Sequence, residues 1–412
     1  MITVNEREYP NSEDPIIVIC IDGCEPDYFD QAISAGFMPN LQRIKQIGTT
    51  RLAHCVIPSF TNPNNMSIAT GQHTEVHGIC GNFLLDPQTG EEVMMNDPKF
   101  LRAGTVFAGW QAAGKSVAIV TAKDKLRALL GHGLVMDDGK TWCFSAEKSD
   151  TTTKKDHGID NAAQWLGRPV PEVYSAELSE FVFASGVKLM QERRVDILYL
   201  TTTDYVQHKH APGTGPANDF YAMFDSYLGQ LDATGVRIVI TADHGMKPKH
   251  DANGQPNVTY LQDLLDQKFA PDATRVILPI TDPYVVHHGA LGSFATIYVY
   301  TGAQIDDVRA YLEKAGDFEG IYTKDAAQEK FHLPIDRIGD IVIVGTKNQV
   351  LGTSHARHDL TQLKEPLRSH GGISEQTIPF IINRNAPQIP EAPHLHNYDA
   401  FFWAAQVEHR ND

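Results

Sequence analysis

No apolar run in this 412-residue chain approaches membrane-spanning length; Ile16 to Ile21, the longest near the start, is far too short. Met1 to Asp14 is polar and acidic and lacks the basic region and apolar stretch of a signal peptide, so cytoplasmic residence is expected. Cysteine is scarce. Cys20, Cys24, Cys55, Cys80 and Cys143 are odd in number and form no C-x-x-C pair, which excludes a disulfide framework and fits small buried hydrophobes in a reducing compartment. Lys and Arg number 35 against 51 Asp and Glu, a formal net charge of −16, so nucleic acid and anionic membrane are excluded as partners by long-range repulsion. Repeats and low-complexity segments are absent. A composition of 42% hydrophobic and 21% charged residues excludes a disordered or fibrous chain.

What is present is an alternation. Ile16 to Ile21, Val117 to Thr121, Ile197 to Thr201 and Val236 to Ile240 are short, β-branched and fully apolar, with helical stretches between them. Strands of that kind belong to a parallel sheet covered on both faces, so the expected class is α/β: a largely parallel central sheet flanked by helices. The length exceeds one ordinary core. Residues 251–365, with strands expected at Ala295 to Tyr300 and Ile341 to Val344 and a helix at Ile305 to Ala315, read as an inserted α+β cap. Residues 1–250 and 366–412 then form the core, which resumes with Gly371-Gly372 and Ile378 to Ile382.

Polar residues follow each strand: Asp22-Gly23, Lys123-Asp124-Lys125, Thr202-Thr203-Asp204 and Asp243-His244-Gly245. Ligands of open α/β sheets collect beyond the carboxyl ends of strands, so these tips are expected to line one crevice. Asp204 and His208 share a helix face if a helix begins at Asp204. Taken singly, Asp22, Asp204, Asp243, His208, His244 and His370 suit caps and turns. Together they offer three ligands to each of two ions; oxygen and nitrogen donors alone favour zinc first and manganese second. Thr61, between Pro58 and Pro63 and ahead of a helix expected near Asn64, is the candidate nucleophile, with Ser59 and Thr70 as competitors.

In order, I-D-G, P-S-F-T-N-P-N with T-G-Q, H-G-I-C-G-N, T-T-D-Y-V-Q-H, T-A-D-H-G and S-H-G-G resemble the alkaline-phosphatase superfamily, in its nucleotide pyrophosphatase/phosphodiesterase-like arm. The resemblance implies an alkaline-phosphatase-like core. One ion would be held by Asp22, Asp243 and His244 beside Thr61, the other by Asp204, His208 and His370. It implies further that Thr61 reaches toward both metals and takes the phosphoryl group covalently before water releases phosphate. Asn82 would hydrogen-bond a phosphoryl oxygen, and His370 would also face the substrate.

Substrate choice rests on other residues. Lys123 and Lys125, two apart in an extended chain, would project to one side. Three aspartates and two divalent ions leave about one positive charge, which a Thr61 alkoxide cancels; two lysines restore about +2, suited to a small anion carrying both phosphorus and a carboxylate. The T-A-K-D-K-L segment resembles the phosphonate-cleaving members of the superfamily, which implies that the lysines hold that carboxylate. The alternatives are a phosphodiesterase or nucleotide pyrophosphatase, for which Phe83 and Tyr205 would wall a base pocket, and a non-catalytic metal-binding protein on this fold. A phosphoglycerate mutase is disfavoured because its nucleophile is Ser. His73, His77, His210, His287, His288, His355 and His358 are read as loop or supporting residues. A homodimer is the base-rate expectation for a soluble enzyme.

Overall fold

A computed structural model describes residues 1–406 apart from 137, 194 and 281–290, so His287 and His288 lie outside the described residues. The four apolar runs are neighbours in one seven-stranded sheet. In chain order its strands are β1 (Ile16–Cys20), β2 (Thr49–His54), β3 (Val117–Thr121), β4 (Thr141–Ser145), β5 (Ile197–Thr201), β6 (Arg237–Thr241) and, last, Thr377–Ile382. The spatial order is β2, Thr377–Ile382, β6, β1, β5, β3, β4. The pairs β6 with β1, β1 with β5, β5 with β3 and β3 with β4 are parallel, while Thr377–Ile382 runs antiparallel to both of its neighbours.

Every residue of β1, β3, β4, β5 and β6 is buried, as a sheet covered on both faces requires. Helices Glu177–Arg193 and Gly215–Asp232 are among its cover. Two strands carry little apolar signal and fall outside the sequence expectation: β2, T-T-R-L-A-H, and β4, T-W-C-F-S. The β6 boundary also lies one residue later than the apolar run suggests.

Register places the chemistry. Thr241 pairs with Cys20, Cys20 with Thr201, and Thr201 with Thr121, so four strands end level and the polar residues after them emerge at one edge. Thr377 pairs with His54, and the antiparallel strand enters the sheet from that same edge. His370 therefore arrives beside the other candidates from the opposite chain direction.

A second, antiparallel four-stranded sheet forms within 251–365: Thr274–Ile277, Phe294–Val299, Ile341–Val344 and Gly320–Thr323 in spatial order. Its Val276, Ile297 and Ile343 belong to the same apolar cluster as the central sheet. Among the described residues no helix is long and apolar enough to cross a membrane.

Ile19, fully buried in the middle strand, and Leu52, 42% exposed on the edge strand, give a contrast. Ile19→Ala is expected to cost about 2–5 kcal/mol and Leu52→Ala under about 0.5 kcal/mol, read from urea unfolding midpoints.

Candidate active site

Asp22 stands two residues beyond the end of β1. Its backbone N–H donates to Thr202 Oγ1 at 2.9 Å, fixing the turn, and the following Gly23 has φ +70°. A Cβ at Gly23 would come within 3.0 Å of the Asp204 Cβ, so glycine is what allows the two strand tips to approach. Asp243 Oδ1 accepts the N–H groups of Gly23 (3.2 Å) and His244 (2.9 Å), and its Oδ2 accepts from Asn65 Nδ2 at 3.3 Å.

The side chains gather into two triads. In each of Asp22, Asp243, His244 and Asp204, His208, His370, the ligand atoms lie within 4.8 Å of one another. His244 Nε2 is 3.4 Å from Asp22 Oδ1 and 3.6 Å from Asp243 Oδ2. Asp204 Oδ2 is 2.9 Å from His208 Nε2 and 3.7 Å from His370 Nε2. Asp204 is the cap residue of the short helix Tyr205–Lys209, and its carbonyl accepts the His208 N–H. The His244 and His370 rings stack between the triads, 3.7 Å apart and 8° from parallel.

All three imidazoles are set by backbone carbonyls. His208 Nδ1 meets Arg368 O at 2.9 Å, His244 Nδ1 meets Gly245 O at 2.9 Å, and His370 Nδ1 meets Ser59 O at 2.7 Å. A carbonyl only accepts, so Nδ1 carries the proton and the Nε2 lone pair faces the triads, as metal-ligating histidines require. Asp22 Oδ1 and His244 Nε2 are buried without a hydrogen-bond partner, a costly arrangement that a cation would relieve. The donor set and these orphaned atoms fit two divalent ions.

Electrostatics agrees with that fit. Burial, then repulsion from Asp204 and Asp243, pushes the Asp22 carboxyl well above the usual range, against the pull of Lys123. Burial likewise raises Asp243, with His244 opposing. Asp204 is desolvated too, but His208, His370 and Lys123 together hold it well below the usual range. Desolvation, then the neighbouring His244, lowers His370 far below the imidazole range.

Thr61 is the first residue of the helix Thr61–Thr70, with Phe60 as its cap; the helix starts three residues earlier than expected from sequence, and Pro63 fits inside the first turn, where no N–H partner is needed. Asn65, one turn on, donates to both the Thr61 carbonyl (3.0 Å) and Asp243, tying the Thr61 helix to the first triad. The competitors have other tasks. Ser59 is fully buried; its hydroxyl donates to Gly372 O and accepts from Gly371 N–H. The Thr70 hydroxyl bonds the Met66 carbonyl.

Asn82 lies at the head of that helix: its Oδ1 accepts the Asn62 N–H at 3.0 Å, and its Nδ2 has no partner among the described residues. The lysines depart from expectation. Lys123 is extended, but Lys125 is in the first turn of the helix Asp124–Leu130, because Asp124 starts that helix; the extended pairing of the two side chains is therefore not formed. Lys123 is close enough to act on Asp22, Asp204 and His208.

The remaining histidines serve elsewhere. His77 is bonded to Ser67, His73 to the Tyr398 hydroxyl, and His358 to Thr353, while His355 packs on Tyr260 and the His210 carbonyl accepts from Tyr28. A surface cavity of about 800 Å³ beside Tyr260, His355 and His358 includes none of the six ligands.

Residues 16–373 match the model of the type I phosphodiesterase / nucleotide pyrophosphatase family. The chain belongs to that family. Phosphonoacetate hydrolase from Sinorhizobium meliloti 1021, solved with phosphonoacetate and with phosphonoformate, is 63% identical, with 98% of each chain covered and a TM-score of 0.96. Human ectonucleotide pyrophosphatase / phosphodiesterase 5 shares the fold at 18% identity, covering 96% of this chain and 95% of that one, with a TM-score of 0.63. Ectonucleotide pyrophosphatase/phosphodiesterase 1 of Saccharomyces cerevisiae is 25% identical over 331 residues, 74% of this chain and 42% of that protein. The chain spans under half the length of the two fungal relatives of this family.

Within this site, sequence reasoning missed Asn65 and Arg368. Asn65 was detectable, since a polar residue four after Thr61 lies on the same helix face. Arg368 was not: its guanidinium bonds the carbonyls of Gln207 and Met246 and the Tyr28 hydroxyl, partners remote in sequence.

Because Asp22 and Asp243 are raised, they destabilise the metal-free fold above the ordinary carboxyl pKa of about 3.9, and the penalty grows with pH as the unfolded chain ionises where the native one resists. Chelation is therefore expected to lower the melting temperature. The gap to protein supplied with divalent ion should widen as pH rises above the ordinary carboxyl pKa of about 3.9; a pH-independent gap would disconnect these carboxylates from the ion.

Proposed function

We propose that the chain hydrolyses the carbon–phosphorus bond of phosphonoacetate, giving acetate and phosphate. The near-full-length likeness to a phosphonoacetate hydrolase supports this reading most directly. Zinc is the ion proposed for Asp22, Asp243 and His244 and for Asp204, His208 and His370, with manganese second. Bound there, the ions would lower the pKa of the Thr61 hydroxyl and offset charge on the phosphoryl oxygens. Residues 1–250 and 366–412 are proposed as the catalytic core, with 251–365 as a cap.

The rest follows from the chain's own groups. Thr61 Oγ1 attacks phosphorus while its proton passes to solvent water, and the C–P bond breaks with its electron pair going to the methylene carbon. The Thr61 backbone N–H, at the start of the helix Thr61–Thr70, and the Asn82 Nδ2 would donate to phosphoryl oxygens. The pair on carbon spreads into the adjoining carboxylate as an enolate-like anion, held by Lys123 and Lys125 where the charge develops. Water protonates the carbon, and a further water hydrolyses the phosphothreonine, restoring the hydroxyl and releasing phosphate.

The nucleotide-hydrolysing alternative needs aromatic walls. Tyr205 is instead capped by the Lys209 ammonium, 4.5 Å from its ring, and Phe83 is buried with Leu85 and Ile277. A non-catalytic metal binder would have no use for Thr61 at a helix start beside two complete triads.

Replacing both lysines by Met is expected to cut phosphonoacetate turnover by more than about 100-fold while hydrolysis of an activated aryl phosphoester changes much less. Equal losses would sink the carboxylate-binding role. Thr61→Ala is expected to lose turnover by more than about 1,000-fold; full activity with full metal content would remove the nucleophile assignment.

A further inference from the structure

Lys249 and Glu375 form an ion pair at 2.9 Å with both side chains at 0% exposure, away from the six ligands and unused by the chemistry above. Taking two charges out of water demands a fully bonded setting. That setting is the backbone of the ligand loops. Glu375 Oε2 accepts the Gly372 N–H at 2.9 Å, two residues after His370, and the Glu375 carbonyl accepts the Gly245 N–H at 2.8 Å, one residue after His244. Gly245 supplies the carbonyl that orients His244, and Ser59, stitched to Gly371 and Gly372, supplies the one that orients His370. Lys249 Nζ also donates to the Lys347 carbonyl at 2.7 Å, just beyond the second sheet, and the N–H of Ser293, the residue before that sheet's strand Phe294–Val299, donates to His370 O.

We propose that Glu375 and Lys249 are positioning residues that hold the His244 and His370 loops at a fixed separation, so that both triads are preformed for their ions. Glu375 touches the two loops at once, through its carboxylate and its carbonyl. Lys249 donates to that carboxylate at 2.9 Å and to the Lys347 carbonyl at 2.7 Å, and so aims it while anchoring it to the 345–347 segment. The inference rests on the two-metal reading above.

Zinc titration against a chromophoric chelator tests it, run on the parent chain, Glu375→Ala, Lys249→Met and the double variant Glu375→Gln/Lys249→Met, with melting of each metal-free protein alongside. Each single change is expected to weaken zinc at the Asp204, His208 and His370 site by about 10- to 100-fold, with a smaller loss at the other site, because the Gly245 N–H keeps its bond to the backbone carbonyl of residue 375. The double variant keeps an acceptor for the Gly372 N–H and leaves no charge unpaired, so it should recover most of the loss. Unchanged affinity with a lowered melting temperature, or loss at the Asp22, Asp243 and His244 site alone, would overturn the proposal. A parent chain taking up no zinc would remove the metal reading and this inference with it; two ions in the parent and unaltered variants would remove the inference only. Should the single variants not fold, amide exchange in the metal-free parent decides: slow exchange at Gly245 and Gly372 is expected, and exchange that slows only after zinc is added would overturn the proposal.

Discussion

Three carboxylates crowded at the dry edge of a sheet are the constraint on which the rest depends. Asp22, Asp204 and Asp243 emerge level because their strands are in register, and burial denies them the water that would otherwise separate like charges. Only positive charge at close range makes the arrangement tolerable. The chain supplies some through Lys123 and His208, enough to hold Asp204 down but not Asp22 or Asp243. Metal ions held by the two triads would supply the remainder and let an acidic chain receive an anion.

Around the carboxylates, backbone replaces side chains as the orienting material. Each ligand histidine is fixed by a main-chain carbonyl, and Ser59 and Asn65 bond backbone as well as side chains. Main-chain groups positioned by strand register carry little conformational freedom, so the imidazoles are held without further rotamer entropy. Gly371, with φ +119°, fits where a Cβ would meet the Phe60 ring at 2.4 Å, and so lets the His370 loop close against the loop that leads into Thr61.

The α/β class, four of the seven central strands, the apolar run of a fifth, Ile378 to Ile382, and all six candidate ligands were legible in the sequence because their signals are local: most are apolar β-branched runs followed within a few residues by a carboxylate or imidazole. The resemblance supplied their division into triads. Strand β2 escaped because an edge strand with a half-exposed face lacks an apolar run, and β4 because a short five-residue strand with Thr and Ser at its ends carries too little signal. The lysine geometry failed for another local reason: Asp124 is a good first helical residue, and helix wins over extension after Lys123. Glu375, Lys249 and Arg368 were beyond reach, since what they bond is backbone brought near only by the tertiary fold.

The antiparallel strand Thr377–Ile382 has a consequence for synthesis. It fills the gap between β2 and β6 and follows the loop that bears His370, yet it is made after the whole second sheet. On a ribosome, Asp22, Asp243 and His244 would be available long before their partners, while β6 waited with one side unpaired. Completion of the second triad and closure of the sheet are thus a single late event, and the nascent chain must shield an exposed strand edge for as long as the intervening segment takes to emerge.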